Sequence, residues 1–415
     1  MLVTIQPRPL RGSIAAPASK SDAHRKLICA ALAREETLLQ LGGSNQDIDA
    51  TVGCLRALGA EIEREGAYLR IRPIESVPEA PLLDCGESGS TLRFLLPVAA
   101  ALCPRARFTG RGRLPQRPLG PLVEAMEAHG VRVSRSWPLE TEGLLQPGEY
   151  LLPGNVSSQY FTGLLMALPL LEGDSSISLT TPLESAAYVE ITRHVLSLFG
   201  IRGELGPGGI PGGQQYRSPG TLPVEGDWSG AAFFLCAGAI AGDVTVTGLD
   251  LASPQGDKAI CSILRDFGAR VDVLPDGLRV RPGSLQGRET DVSEVPDLAP
   301  VLAVTAAFCQ GESRFTGAGR LRMKESDRIS SVCSLLRSLG GQAQEEESAF
   351  SLPGGLLRGG EVDGMGDHRI VMSAAVAACG CSQAVCIHEA EAAAKSYPGF
   401  WEDYRTLGGD VHVCL

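Results

Sequence analysis

The chain has 415 residues, of which 44% are hydrophobic and 20% charged, enough for two substantial cores in a soluble globular protein. Its net charge of −11 argues against a nucleic-acid partner, because binding a phosphate backbone needs a broad basic surface. The longest uncharged apolar runs, Phe94 to Cys103 and Ala231 to Ala241, fall short of the roughly 18 residues of a membrane span and read as buried helices.

The opening MLVTIQPRPLRG lacks the basic start, apolar stretch and small-residue cleavage site of a secretory signal, so a cytoplasmic protein is expected. Its 12 cysteines scatter through apolar segments and read as reduced core thiols rather than a disulfide framework. Cys379-Gly-Cys381 stands without a second pair or a histidine cluster, so no metal site is expected.

In chain order, the first marked element is a helix opened by Ser21 in SKSDAHR, with Lys20 beside it and Arg25 one turn later. An apolar helical stretch, a glycine and strand-like alternation follow in LRALGAEIE. The second opener is Ser90 in GESGSTLR, where Gly86 and Gly89 allow close backbone approach and Arg93 follows; Arg117 lies in the next loop, ahead of AMEAHGVRV. The third is GNVSSQ, with Ser157, Ser158 and Gln159, leading to the strand-like GDSSISLT and to VLSLFGIRG. Gly206 to Gly220, rich in glycine and proline, reads as a turn-rich surface excursion, and no phosphate-binding glycine loop is present. It marks a boundary near Val224. Beyond it come Ser229 with GDVTVTGL and ILRDFGARVDV, then EVPDLAP with Asp297. GESRFTGAG, MKESDR with Lys324, Glu325, Asp327 and Arg328, and LLRSLGGQA follow. Last are GDHR with Asp367, His368 and Arg369, KSYP with Lys395, and YRTLGGDVHV.

The glycines Gly59, Gly130, Gly200, Gly268, Gly340 and Gly408 are spaced 71, 70, 68, 72 and 68 residues apart. The openers Ser21, Ser90, Ser158, Ser229, Asp297 and Asp367 are spaced 69, 68, 71, 68 and 70. Two independent markers with one period predict six copies of a unit containing two helices and several short strands, three before the boundary and three after. Helix N-termini carry unpaired N–H groups and partial positive charge. Arginines and lysines there oppose the dipole, so their recurrence points to bound anions rather than to helix stability.

SKSDAHR, GESGSTLR, SSQ, PD, KESDR, DHR and KSYP occur in that order along essentially the whole chain, and together they resemble the 5-enolpyruvylshikimate-3-phosphate synthase family. The resemblance implies an α/β fold of two inside-out α/β barrels with three repeated units each, closing over the substrates. The expected division is 15–224 for units one to three, mainly the shikimate 3-phosphate side, against 1–14 plus 225–415 for units four to six, which hold the base and much of the phosphoenolpyruvate side. The implied reaction transfers the enolpyruvyl group of phosphoenolpyruvate to the 5-hydroxyl of shikimate 3-phosphate, with no metal or organic cofactor, in a monomer. Carried over residue by residue, Lys20, Ser21, Arg25, Ser157, Ser158, Gln159, Ser185, Tyr188, Asp297 and Lys324 become the shikimate 3-phosphate ligands. Lys20, Gly89, Arg117, Arg328, Arg369 and Lys395 become the phosphoenolpyruvate set. Asp297 is then the expected base, with Glu325 and Lys20 moving protons at the methylene and His368 assisting.

Three places depart from the common pattern of that family: Glu87 and Arg320 stand where asparagine is frequent, and Ala186-Ala187 replace a basic residue and a proline before Tyr188. Three other readings compete, one of them a degenerate relative that binds without catalysing, against which Asp297, Glu325, Lys20 and Lys395 are all present. UDP-N-acetylglucosamine enolpyruvyl transferases open with a lysine-asparagine pair and usually carry a cysteine in the loop matching GRLPQRPLG, whereas this chain has Lys20-Ser21 and no cysteine there. A ring-forming clamp of six repeats would carry its cations along helix faces, whereas these gather at helix starts and loops.

Overall fold

The six marker glycines all end helices in the left-handed region, with φ between 74° and 109°, the conformation a side chain resists and glycine accepts. They punctuate a computed structural model that describes residues 1–414. Its contacts divide the chain into two units: an inserted unit, Lys20–Val224, and a flanking unit of Met1–Ser19 with Glu225 onward.

The inserted unit holds helices α1 (Lys20–Leu32), α2 (Gln46–Ala57), α3 (Gly89–Leu102), α4 (Gly120–Glu127), α5 (Ser158–Ala167) and α6 (Ala186–Leu198). The flanking unit holds α7 (Trp228–Ala241), α8 (Ile260–Phe267), α9 (Ala299–Ala306), α10 (Arg328–Ser338), α11 (His368–Ala378) and α12 (Phe400–Thr406). Each odd-numbered helix leads into the second strand of a small sheet, and the sheets share one pattern: a parallel pair, then antiparallel strands. A parallel pair demands a crossover between its members, and α3, α5, α9 and α11 each supply one. Leu82–Asp84, α3 and Arg105–Thr109 show the unit plainly; Leu139–Glu142 and Arg132–Val133 complete that sheet antiparallel.

Each unit closes its own cycle of three sheets with a strand distant in sequence. In the inserted unit Thr221–Pro223 returns to lie parallel to Thr37–Gln40. In the flanking unit Leu2–Gln6 lies between Val385–His388 and Asp410–Cys414, with Val3 opposite Ile387 on one side and Val413 on the other.

Helices α9 and α11 bury every residue, and α3, α5 and α7 nearly every one, as their largely apolar composition requires. Pro97 inside α3 has no N–H to offer the Arg93 carbonyl one turn back. Gly163 of α5 packs onto that same carbonyl, against Pro97, where any Cβ would collide.

Two expectations are corrected. The segment Gly206 to Gly220 is not only a surface excursion: Gly206–Ile210 pairs antiparallel with Ser175–Thr181, and Tyr216 is buried with its hydroxyl donating to the Met166 carbonyl at 2.7 Å. The helix openers also shift. Ser88 rather than Ser90 caps α3, Ser157 rather than Ser158 caps α5, and Asp227 rather than Ser229 caps α7, while Asp367 caps α11 as expected. The cap oxygen must lie two or three residues ahead of the N–H it accepts, as Ser88 does for Thr91 and Asp227 for Ser229 and Gly230. Helix α9 begins at Ala299, after Leu298 and without a side-chain cap, and the Asp297 carboxylate meets Arg328 and Arg369.

Candidate active site

The inserted unit gathers side chains at the starts of α1, α3, α5 and α6. Lys20, the first residue of α1, donates to Asp47 Oδ2 at 2.9 Å. Arg25 lies one turn further in, 2% exposed, and ties three helices together. Its Nε donates to Thr192 Oγ1 at 2.8 Å, Nη2 to Thr162 Oγ1 at 3.1 Å and to the Tyr188 carbonyl at 2.9 Å, and Nη1 to the Ser21 carbonyl at 2.6 Å. Burial brings this guanidinium down to about 10, against the opposing pull of Asp22. Most of Arg25's donors thus serve the protein, setting where Ser21 and Tyr188 stand. Ser185, just before α6, holds a left-handed backbone with φ of 55°, a strained state for a serine.

Arg93 braces the second group. It donates to Gln159 Oε1 and to the Pro118 carbonyl, both at 2.8 Å, while Gln159 Nε2 donates to Ser90 Oγ at 3.0 Å. Ser157 Oγ accepts from the Gln159 N–H at 3.3 Å, with Ser158 buried beside it. Gly89 is required here by close approach: a Cβ would lie 2.6 Å from Arg117 Nη1 and 2.7 Å from Arg93 Nη1. Two guanidinium groups therefore lie directly against the N-terminus of α3.

The flanking unit carries a denser charge cluster. Asp297 Oδ1 accepts from Arg328 Nη1 at 2.9 Å and Oδ2 from Arg369 Nη2 at 3.0 Å, with Lys324 Nζ 3.7 Å away. Arg369 also donates to the Asp297 carbonyl at 3.1 Å. Arg328, 1% exposed, further holds Glu325 at 2.7 Å and Asp367 at 2.9 Å. Asp297, Glu325 and Asp367 thus face Lys324, Arg328 and Arg369; Arg328, Asp367 and Arg369 are buried while Asp297, Glu325 and Lys324 are half-buried, so loss of a buried member strands its partners. Burial pushes the Asp297 carboxyl up, but Arg369, Lys324 and Arg328 outweigh it and hold the group well below the usual carboxylate range. Burial also brings Lys324 down to about 8. His368 Nδ1 lies 3.8 Å from Asp367 Oδ1, and Lys395 Nζ donates to the Gly366 carbonyl at 2.8 Å, on the loop leading into α11.

A family model described as EPSP synthase (3-phosphoshikimate 1-carboxyvinyltransferase) matches residues 5–404. The chain belongs to the EPSP synthase family. A 3-phosphoshikimate 1-carboxyvinyltransferase of Clostridium perfringens is 41% identical over 417 residues, 98% of each chain. One from Clostridium kluyveri is 40% identical, covering 99% of this chain and 98% of that one. Among solved structures, an EPSP synthase from Acinetobacter baumannii superimposes with a TM-score of 0.82 at 25% identity, covering 99% of this chain and 100% of that one. The two-unit α/β architecture is therefore that of an EPSP synthase.

Against the EPSP synthase pattern, Arg320 spends one donor on the Ser293 carbonyl at 2.5 Å, and Glu87 lies against Gly112, leaving no room for a Cβ there. Sequence reasoning passed over two acids beside the expected residues. Asp47 receives Lys20, yet an acid in the first turn of a helix already has a sufficient local reason. Asp257 is buried and accepts from Ser229 Oγ; burial first, and then the field of Asp297, push it up to about 7.

Proposed function

We propose that this enzyme transfers the enolpyruvyl group of phosphoenolpyruvate to the 5-hydroxyl of shikimate 3-phosphate and releases phosphate, the sixth step toward chorismate and the aromatic amino acids. The observation that carries this reading is Asp297 held between Arg328 and Arg369 beside Lys324 and Glu325, in a chain that matches the family along nearly its whole length. Ser21, Arg25, Ser157, Ser158, Gln159, Ser185, Tyr188 and Lys324 serve the shikimate phosphate. Gly89, Arg117, Arg328, Arg369 and Lys395 serve phosphoenolpyruvate, and Lys20 serves both. Guanidinium forks suit carboxylate and phosphate oxygens, while the lysines act as point charges. The assigned ligands are divided between 15–224 and 1–14 plus 225–415, so turnover requires both. The same reading makes the enzyme a cytoplasmic monomer that needs neither a cofactor nor a nucleic acid.

The charge balance suggests how the base is switched on. With Arg328 and Arg369 both on Asp297, that carboxylate is a weak base. An anion that takes up those guanidinium groups shares their charge and restores its basicity. Asp297 then accepts the 5-hydroxyl proton as the oxygen adds to the substituted carbon of phosphoenolpyruvate, and Glu325 or Lys20 protonates the methylene, with His368 assisting. Collapse of the tetrahedral intermediate returns a proton from the new methyl group and expels phosphate, whose charge the cations stabilise.

Phosphate release should require both substrates together, and Asp297→Ala should lower kcat by about 10²- to 10⁴-fold with an unchanged circular dichroism spectrum. Release with UDP-N-acetylglucosamine but none with shikimate 3-phosphate would overturn the assignment.

A further inference from the structure

His24 lies one turn beyond Lys20 on α1, fully buried. Its ring meets Phe94 edge-on with centroids 6.3 Å apart. Its Nδ1 is 2.7 Å from Thr51 Oγ1 on α2, Thr51 Oγ1 is 2.7 Å from Thr91 Oγ1 on α3, and Thr91 Oγ1 is 2.7 Å from Ser88 Oγ, the cap of α3. Thr51 and Thr91 are fully buried and Ser88 is 1% exposed. A four-membered polar chain therefore links α1, α2 and α3, and each hydroxyl in it has one proton to give.

That arithmetic allows two arrangements. If the protons run toward Ser88, Thr91 donates to Ser88, Thr51 donates to Thr91 and His24 donates from Nδ1, leaving Nε2 as a bare lone pair. If Thr51 instead donates to Nδ1, the ring carries its proton on Nε2 and no proton lies between Thr51 and Thr91, because Thr91 donates to Ser88. Nε2 is buried and has no hydrogen-bond partner among the described residues, so the choice lies between an orphaned lone pair and an orphaned N–H. Burial, Lys20 and Arg25, in that order, hold the ring well below its ordinary value, so it is neutral. Only the first arrangement places a proton in every link of the chain. An orphaned buried donor is also the costlier defect.

We propose that His24 is a positioning residue which, as its Nδ1–H tautomer, heads the chain through Thr51 and Thr91 to Ser88 and so fixes the start of α3 relative to the start of α1. Lys20 rides on one end of this chain. Gly89, with Arg93 and Arg117 packed against it, rides on the other. The inference rests on the reading of Lys20, Gly89 and Arg117 as ligands of an anionic enolpyruvyl donor.

The test uses the full-length enzyme with phosphoenolpyruvate and shikimate 3-phosphate. His24→Leu should raise KM for phosphoenolpyruvate about ten-fold, the cost of one stranded buried hydroxyl, with a smaller change in kcat. His24→Asn places an amide N–H where Nδ1–H was and should restore KM to within about two-fold, whereas His24→Gln, which reaches the Nε2 position, should not. Thr51→Val, nearly the same shape, should reproduce the defect if His24→Leu does not fold. Nitrogen NMR of the wild-type enzyme, with His24 assigned by its loss in His24→Asn, should show a protonated Nδ1 and a bare Nε2. An Nε2–H ring, an unchanged KM in both His24→Leu and Thr51→Val, or rescue by glutamine as good as by asparagine would overturn the proposal. A wild-type enzyme that releases no phosphate would instead overturn the functional reading, and the tautomer measurement would still judge His24.

Discussion

Burial, helped by the positive fields of Arg328 and Arg320, brings Lys324 down to about 8 against the pull of Asp297 and Glu325. The folded enzyme therefore loses this charge well before a free lysine, near 10.4, would. If Lys324 grips the shikimate 3-phosphate, KM for that substrate should be lowest below pH 8 and climb as pH rises through about 8. Lys324→Arg should flatten that rise, since a guanidinium stays charged throughout; initial rates from pH 6.5 to 9.5 check it. At this scale the sequence exposed the cations, because arginine and lysine at a helix start oppose the dipole and demand explanation. It hid Asp47, Asp257 and His24. An acid in a first turn is ordinary, Asp257 has no motif around it, and a histidine inside an apolar helix reads as core until the hydroxyls it touches are known.

Two glycines on neighbouring helices make a contrast of elements. Gly89 at the start of α3 faces the flexible ends of Arg93 and Arg117, whereas Gly163 inside α5 faces the Arg93 carbonyl and Pro97. Gly89→Ala should therefore displace guanidinium groups, raising KM for phosphoenolpyruvate while leaving the melting temperature nearly unchanged. Gly163→Ala should strain the α3–α5 contact and cost about 1–3 kcal/mol in denaturant unfolding. The helix-ending glycines divide similarly. A Cβ at Gly268 would strike the Ser284 carbonyl, while Gly200 has nothing within 4 Å. Gly200→Ala should cost only the left-handed conformation, about 1 kcal/mol, and Gly268→Ala clearly more, by the same unfolding measurement. All six helix-ending glycines were legible because one backbone conformation at a regular spacing leaves few alternatives. The helix starts were legible only to within one or two residues, since serine or aspartate can cap from adjacent positions. The strand Gly206–Ile210 was not legible at all, because its place comes from pairing with Ser175–Thr181 rather than from its own glycine-rich composition.

At the scale of the molecule, the inserted unit is one unbroken stretch and the flanking unit is not. A fragment of residues 20–224 should fold alone, with dispersed amide NMR signals and resistance to limited proteolysis. A fragment of residues 225–415 lacks Leu2–Gln6, paired on both sides in its sheet, and Arg11–Ala15, the parallel partner of Asp243–Thr247. It should stay poorly ordered until a peptide of residues 1–19 is added. The repeat period announced three units on each side of Val224, but no local signal showed that the sixth sheet borrows its inner strand from the far end of the chain, Val3 meeting Ile387. Synthesis runs from the N-terminus. Leu2–Gln6 therefore leaves the ribosome well before Val385–His388 and Asp410–Cys414, and stays without either neighbour until they emerge. Until then it is an unpaired apolar strand, open to pairing with other nascent chains, and is the natural target for chaperone protection.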